Sequence, residues 1–162
     1  MDPIVPQELG VAGNRRAKAA IRHNLRALGI ELSLLNHRIG TSLRLSDTDF
    51  DALNVISRYS PVSPRELAER CGLHPATATG VIDRLERGGW IYRERDPVDR
   101  RGVRLRFVPG RGTEMSRQYA GMNTSLREIL DSYHDDELEL IAGFLQRVAD
   151  ASNRAAANVP RQ

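Results

Sequence analysis

Residues 63–89 read SPRELAERCGLHPATATGVIDRLERGG and decide the fold of this 162-residue chain. Ser63 is suited to cap a helix, because a proline follows at the first helical position and a glutamate at the third. Gly72 is suited to end that helix, and the next residues predict a second helix from Pro75 to Gly88. Two short helices joined by a tight, glycine-containing turn are typical of a helix-turn-helix.

The segment that follows predicts a β-hairpin. A first strand is expected from Trp90 to Arg95 and a second from Val103 to Val108, with a turn between them. In the second strand apolar and basic residues alternate, which is the pattern of a half-buried strand. One face would pack on the core and the other would point arginines into solvent. A helix-turn-helix followed by such a hairpin is a winged helix, whose second helix has the right size for the major groove of DNA.

The charge of the chain is unevenly distributed. Between residues 84 and 111 there are nine arginines and four acidic residues, a net charge of +5, whereas the whole chain carries +3. A basic zone on a near-neutral body is typical of a protein that binds a polyanion. The alternative is a solvated arginine-rich surface, because the chain uses 23 arginines and a single lysine. Charge alone leaves both interpretations open.

Several polar and basic residues of this region are candidate DNA contacts. Threonine and arginine on the outer side of the second helix could contact base edges or phosphates, whereas a glycine there permits close approach. Arginines at the hairpin tip are suited to a narrow minor groove, where negative potential is concentrated, and the tip aspartate is expected to turn inward and hold an arginine. For any one of these side chains, ordinary solvation explains its presence equally well. The candidates are Thr77, Thr79, Gly80, Arg84, Arg87, Asp99, Arg100, Arg101 and Arg104.

Both ends of the chain carry apolar residues at alternating spacings of three and four. This is the spacing of a coiled-coil-like helical seam. A small globule could not bury all of these seams, so a homodimer built from both chain ends is expected. The alternative is a monomer whose terminal helices pack on each other. The seams are Ile21, Leu25, Leu28, Leu32, Leu35 and Ile39; Met115, Tyr119, Met122, Leu126, Ile129 and Tyr133; and Leu138, Ile141, Leu145 and Val148.

Together these patterns predict a mainly α (α+β) protein, a winged helix-turn-helix with N- and C-terminal dimerisation helices. The expected divisions are a flexible N-terminus at 1–12, an N-terminal dimerisation helix and linker at 13–45, the winged helix-turn-helix DNA-binding domain at 46–109 and C-terminal dimerisation helices at 110–158. No apolar run reaches the about 18 residues of a membrane span, so a cytoplasmic protein without a membrane partner is expected. The sequence has no nucleophile–base–acid set, phosphate-binding glycine loop or metal-ligand spacing, and neither enzymatic activity nor a cofactor is expected.

From about residue 67 to residue 107 the chain resembles the MarR family of bacterial regulators, named for multiple antibiotic resistance. The resemblance rests on a leucine-containing helix, a following helix that ends in DRLE-x-x-G and a hairpin that reads DP-x-DRR. It implies a homodimer that binds pseudo-palindromic operator DNA, in most cases as a repressor, and in many cases releases it on binding a small phenolic or carboxylate ligand. The wing pair that it implies is Asp99 and Arg101, with Arg101 at the minor groove. The helix positions that it implies contact DNA are Thr77, Thr79 and Arg84.

One departure from the family pattern lies directly after the hairpin. The family commonly has Leu-Thr-x-x-Gly there, the threonine capping the next helix, whereas this chain reads FVPGRG at 107–112. The altered junction keeps a second interpretation open, a winged-helix protein-interaction module that does not bind DNA specifically.

A small-molecule effector is a further possible partner. The family's ligand site usually lies between the dimerisation helices and the winged helix, where polar and aromatic side chains could line a pocket for an anionic ligand. Ordinary exposed or packing side chains are the alternative for each of them. Cys71, on the expected inward side of the helix that Ser63 caps and Gly72 ends, is interpreted as a core residue. The ligand-binding candidates are His23, Arg26, His37, Tyr59 and Trp90.

Overall fold

The structure, a computed structural model, describes residues 7–97 and 102–159. It is mainly helical with one two-stranded sheet, which confirms the predicted fold class. By its internal contacts the chain divides into two compact units, one ending at Asp51 and the other beginning at Ala52. The elements are α1 (Gln7–Ser42), α2 (Asp47–Tyr59), α3 (Pro64–Cys71), α4 (Pro75–Arg87), β1 (Ile91–Arg95), β2 (Val103–Phe107), α5 (Arg111–Gln118), α6 (Ala120–Leu130) and α7 (Asp135–Ala157).

The unit that ends at Asp51 contains the long helix α1 and the start of α2. Helix α1 begins at Gln7, six residues before the segment 13–45 in which the sequence led us to expect the N-terminal helix. No proline interrupts the chain between Pro6 and Pro61, and each glycine within the helix costs only about 1 kcal/mol of helix propensity.

The seam along α1 is largely open to solvent in the single chain. Ile21 and Leu28 remain 44% and 49% exposed, whereas Ile39 near the end of the helix is buried. The turn after α1 is closed by a hydrogen bond from the Leu45 amide to the Gly40 carbonyl oxygen at 2.8 Å. The apolar face of α1 therefore lacks a cover within this unit.

The core of the second unit lies between α2, α3, α4 and the hairpin. The inner side predicted for α4 is buried along its whole length, which confirms the helical periodicity. Cys71 is half-buried, so it lies at the edge of this core rather than inside it. The buried apolar side chains are Ala52, Leu53, Ile56, Val62, Leu67, Ala68, Ala78, Val81, Ile82, Leu85, Trp90, Ile91 and Leu105.

The caps of α3 and α4 form as the sequence predicts. The Glu66 amide donates to the Ser63 hydroxyl at 3.2 Å and the Ser63 amide donates to the Glu66 carboxylate at 2.9 Å, a complete capping box. Gly72 ends α3 with a left-handed φ of 64°, a conformation that glycine adopts without steric cost. The His74 ring then caps α4 by accepting a hydrogen bond from the Ala76 amide at 3.3 Å. Local interactions therefore begin α3, end it and begin α4.

The hairpin is an antiparallel pair in which Ile91 lies opposite Phe107 and Arg95 opposite Val103. Val62, between α2 and α3, forms an additional bridge to Leu105 with hydrogen bonds of 3.1 and 2.8 Å, so the base of the hairpin is joined to the helical core. The Asp96 amide donates to the Gly102 carbonyl oxygen at 3.0 Å and closes the turn at its base. The turn itself, residues 98–101, lies outside the described residues, and with it the predicted contacts Asp99, Arg100 and Arg101.

The C-terminal helices differ from the expectation in one respect. The seam from Met115 to Tyr133 suggested one continuous helix, but Tyr119 separates α5 from α6 with φ −92° and ψ 2°. Its amide bonds to the Ser116 carbonyl oxygen at 3.1 Å, an i→i−3 bond that tightens the chain locally. Of the helices in the described ranges, none combines the length and apolar character that a membrane crossing requires.

Candidate DNA-binding interface

Helix α4 presents one buried side and one exposed side. Thr77, Thr79 and Arg87, predicted as DNA contacts, all lie on the exposed side, and Gly80 is half-buried beside them. The Thr79 hydroxyl donates to the Pro75 carbonyl oxygen at 3.1 Å, which leaves its oxygen able to accept a further hydrogen bond. The exposed side therefore offers small polar groups near the helix start and basic groups near its end.

Gly80 and Arg84 lie one helical turn apart on α4 and are in close proximity. A Cβ atom placed on Gly80 would lie 3.5 Å from the Arg84 guanidinium, so that guanidinium lies back along the helix over the glycine. Arg87, three residues after Arg84, donates through Nε to the Asp83 carbonyl oxygen at 3.2 Å. The glycine thus gives the arginine room, in addition to the close approach that it permits to a partner.

Arg93 of β1 joins the hairpin to α4. Its guanidinium lies 2.5 Å from the Asp83 carboxylate and also pairs with Glu86. Arg93 lies opposite Leu105 in the sheet, and side chains of directly opposed residues share a face of the pair. The pairing of one arginine with two carboxylates on α4 fixes the hairpin against that helix.

Arg104 of β2 makes a second connection, to α3. Its Nε lies 2.6 Å from the Asp96 carboxylate and its Nη1 lies 3.2 Å from the Glu66 carboxylate. Asp96 is one of the few buried acidic residues of the described chain, at 8% exposure. The guanidinium is therefore engaged by two acids, which favours a role in fixing the wing over the predicted direct contact with DNA.

Glu66 takes part in both the helix cap and the ion pair. The pKa of its carboxyl is lowered from the ordinary value, first by the hydrogen bond from the Ser63 amide, next by the Ser63 hydroxyl, and to a lesser degree by the nearby Arg104 and Arg70. On β2, the Arg106 guanidinium pairs with Glu94 across the sheet, and this hydrogen bond raises the pKa of Arg106. The alternating arginines of β2 do not point freely into solvent, because each is neutralised by an acid.

The basic surface is consequently narrower than the count of arginines indicated. Within residues 7–97 and 102–159, Arg87 and Arg95 are exposed and neither forms an ion pair. Sequence reasoning missed the ion pairs of Arg93 and Asp96, and the hydrogen bonds that Arg111, the first residue of α5, donates to the Gly88 and Gly89 carbonyl oxygens. For Arg111 a signal existed: a cation in the first turn of a helix is opposed by the helix dipole, so its presence there calls for another interaction.

The five ligand-binding candidates occupy different environments. His23 and Arg26 are exposed on α1. Tyr59 lies under the Arg70 guanidinium, 3.9 Å from its carbon to the ring centre, and Trp90 is buried, at 4% exposure. Tyr59 and Trp90 each lie against an arginine side chain, Arg70 and Arg111 respectively.

His37 lines a cavity of about 400 Å³ formed by α1 and the start of α2. Its Nδ1 lies 2.7 Å from the Asp47 carboxylate. Burial raises the pKa of Asp51 in the same lining, and the neighbouring charge of Asp47 raises it further. A second cavity, of about 260 Å³, lies between α2, α5 and α6 beside Tyr119. Burial raises the pKa of the Tyr119 hydroxyl. The described residues hold no group of three potential metal ligands.

Comparison with known proteins agrees with this geometry. The model of the MarR family matches residues 45–103. The HTH-type transcriptional regulator YcgE of Bacillus subtilis, strain 168, itself uncharacterized, is 30% identical over 125 residues, which are 77% of this chain and 81% of that protein. The HTH-type transcriptional repressor YetL of the same strain is 26% identical over 103 residues, 62% of each chain. Among solved structures, a MarR family protein from Bacillus stearothermophilus has a TM-score of 0.62 at 23% identity and covers 85% of this chain and 96% of its own.

Proposed function

The chain belongs to the MarR family of transcriptional regulators, and on that premise we propose that it binds pseudo-palindromic operator DNA as a homodimer and represses the adjacent genes. Helix α4 is the recognition helix and enters the major groove, while the hairpin tip reaches the minor groove. Members of this family are regulators, so the expectation of a protein that is not an enzyme is confirmed.

The observation that carries the proposal is the two-sided character of α4. Its inner side is buried in the core, and its outer side, free of core contacts, carries threonines and arginine. Arg93 holds the hairpin against the same helix through two carboxylates. A rigid helix with an exposed polar side, flanked by a fixed hairpin, is the arrangement that a helix in the major groove and a wing in the minor groove require.

The proposed contacts divide into three kinds. Those of α4 with bases or phosphates come from Thr77, Thr79, Arg84 and Arg87, with Gly80 allowing close approach. Arg100 and Arg101 enter the minor groove, and Asp99 orients one of these arginines. Arg104 positions the wing through Asp96 and Glu66.

The homodimer is supported by the apolar side chains that the single chain leaves open. Ile129 of α6 is 56% exposed and Leu145 of α7 is 47% exposed, and a second copy would cover such residues. We propose 46–109 as the DNA-binding domain, with 13–45 and 110–158 as the dimerisation segments. Most of the segment 13–45 belongs to helix α1, which begins at Gln7.

Repression is supported by the similarity to YetL, which is named a transcriptional repressor. An effector that releases the DNA would occupy the cavity beside His37. Asp47 and Asp51 lie in the same lining, so a phenol, which donates a hydrogen bond, fits this cavity better than the carboxylate ligand that the resemblance also allowed. Phenol should therefore weaken DNA binding more than benzoate at equal concentration, and the reverse order would contradict this assignment.

A gel-shift assay on the protein's own upstream region, over a series of salt concentrations, tests the proposal. We expect a discrete complex that a random duplex of equal length does not compete away. Arg101→Ala should weaken it several-fold or more with an unchanged unfolding temperature, whereas Arg117→Ala, on the exposed side of α5, should not. A complex that is weak and indifferent to sequence would instead favour the protein-interaction module, and full affinity of a folded Arg101→Ala variant would remove the wing from the interface.

A further inference from the structure

Arg111, the first residue of α5, contacts the end of the recognition helix. Its Nη2 donates to the Gly88 carbonyl oxygen at 2.7 Å and its Nε donates to the Gly89 carbonyl oxygen at 3.3 Å. The guanidinium carbon lies 4.2 Å from the centre of the Trp90 ring, and Nη1 pairs with Glu114. These five residues form what we call the Arg111 junction.

The electrostatics of the two helices explain this placement. A helix carries partial negative charge at its C-terminal carbonyls and partial positive charge at its N-terminus. A guanidinium therefore gains at the end of α4, where arginine is suited to hydrogen-bond the last carbonyls. At the start of α5 the same cation is disfavoured, and Glu114 in that first turn offsets the cost.

Helix α5 has few other attachments. Gly110 precedes it with φ 93° and provides no side-chain cap, and none of the residues of α5, all of which are described, is buried. Trp90, by contrast, is firmly held: a Cβ atom on Gly88 would come within 2.9 Å of its ring. The indole thus lies close to both the Gly88 backbone and the Arg111 guanidinium.

We propose that Arg111 is a positioning residue that sets the angle between the recognition helix and α5, and through α5 the spacing of the two recognition helices in the dimer. The inference rests on the proposed function, since it requires a dimer on two half-sites. Half-sites of helix-turn-helix dimers lie about 34 Å apart, one turn of DNA, so a small change in that angle misplaces both helices. Arg111 supplies this connection at the junction where the family pattern has a capping threonine.

A half-site spacing series tests the proposal. The operator found in the upstream region is compared with versions carrying one or two inserted base pairs between its halves. We expect wild type to bind the native spacing best, and Arg111→Ala to lose about fivefold or more there, at the lower end of typical coupling between sites. On the lengthened operators the variant should lose little, so its preference for the native spacing is flattened.

Two controls separate positioning from other roles. Arg117→Ala removes the same charge from the same helix and should retain the wild-type spacing preference. If Arg111 instead contacted a phosphate, Arg111→Ala would reduce the salt slope of binding by about 0.9; we expect an unchanged slope. A reduced slope, or a spacing preference equal to that of wild type, overturns the inference while leaving the proposed function intact. A wild-type protein without any operator preference overturns both.

The single tryptophan of the chain gives a readout that does not depend on DNA. Trp90 is covered by Arg111, so Arg111→Ala should increase quenching of its fluorescence by acrylamide in a protein that still sediments as a dimer. Glu114→Gln, which removes the negative charge that pairs with Arg111, should shift quenching in the same direction by a smaller amount. Quenching equal to wild type in Arg111→Ala would show that the junction does not form, and would overturn the inference on its own.

Discussion

Apolar residues recur at helical spacing in both the winged helix and the C-terminal helices, yet these side chains are buried to very different degrees in the two regions. Leu53 and Leu85 of the winged helix are fully buried, whereas Ile129 and Leu145 on the seams of the C-terminal helices are 56% and 47% exposed. In the winged helix, three helices and a hairpin close around one core within a single chain. The C-terminal helices carry an apolar face that the single chain leaves open. Since buried apolar surface contributes about 25 cal/mol per Å², the proposed second chain would stabilise these helices by covering that face.

The largest effect is expected in the C-terminal helices, whose open apolar face we expect a second chain to cover. The double variant Leu138→Glu and Ile141→Glu places two carboxylates on the seam of α7, and each buried unpaired charge costs several kcal/mol. We expect dissociation into monomers and the loss of operator binding, measured by sedimentation and gel shift. The matched control is Arg147→Glu, because the 3.6-residue period of the helix places Arg147 on the side of α7 that faces away from the seam. A double variant that still sediments as a dimer would place the seam elsewhere on the helix.

The difference between the two regions also explains how far the sequence predicted the fold. The cap of α3 and the glycine that ends it are local signals within a few residues, so Ser63 and Gly72 predicted their structure correctly. The break at Tyr119 has no such signal, because the three-and-four spacing runs through it uninterrupted. The early start of α1 was missed because two prolines and one glycine outweighed the helix formers in the interpretation of residues 1–12.

A smaller effect is expected in the winged-helix core. Leu85→Ala removes a fully buried side chain from α4, and such substitutions cost about 2–5 kcal/mol. Chemical denaturation should show this loss at every protein concentration, because the cavity lies within one chain. Leu145→Ala is the comparison: its side chain lies on the seam of α7 and is 47% exposed in the single chain, so it should affect the free energy of unfolding through association, and its effect should vary with protein concentration. Equal, concentration-independent losses in both variants would contradict the distinction between the two regions.

The candidate site could be predicted less completely than the fold, since charge counts do not reveal partners. The exposed side of α4 was predicted directly from the helical spacing of its apolar residues. The neutralisation of Arg104 did not, because one of its acids, Glu66, lies 38 residues away in sequence. Likewise Arg93 pairs with acids seven and ten residues back, on another element. Interpreting residues 84–111 as one basic zone therefore overestimated the free positive charge.

The smallest expected effect concerns Glu66, where helix cap and wing meet. Because its pKa is lowered in the folded state, the charged carboxylate stabilises the fold above its ordinary pKa of about 4.3 and loses this contribution as the pH falls through the lower folded value. Glutamine can still complete the capping box, so Glu66→Gln removes the charge and its attraction for Arg104. We expect a loss of less than about 1 kcal/mol at pH 7, since the pair is partly exposed.

The loss at Glu66 should shrink as the pH is lowered and disappear once the folded-state carboxylate of the wild type is protonated. Glu69→Gln on the same helix, which breaks the exposed pair with Arg65, is the matched control and should leave operator affinity unchanged. Glu66→Gln should weaken operator binding slightly, because Arg104 then retains Asp96 as its acidic partner and the wing is held less firmly against α3. A destabilisation that stayed constant from pH 7 to strongly acid solution would show that the amide disturbs the cap itself, and that the charge of Glu66 does not connect the helix to the wing.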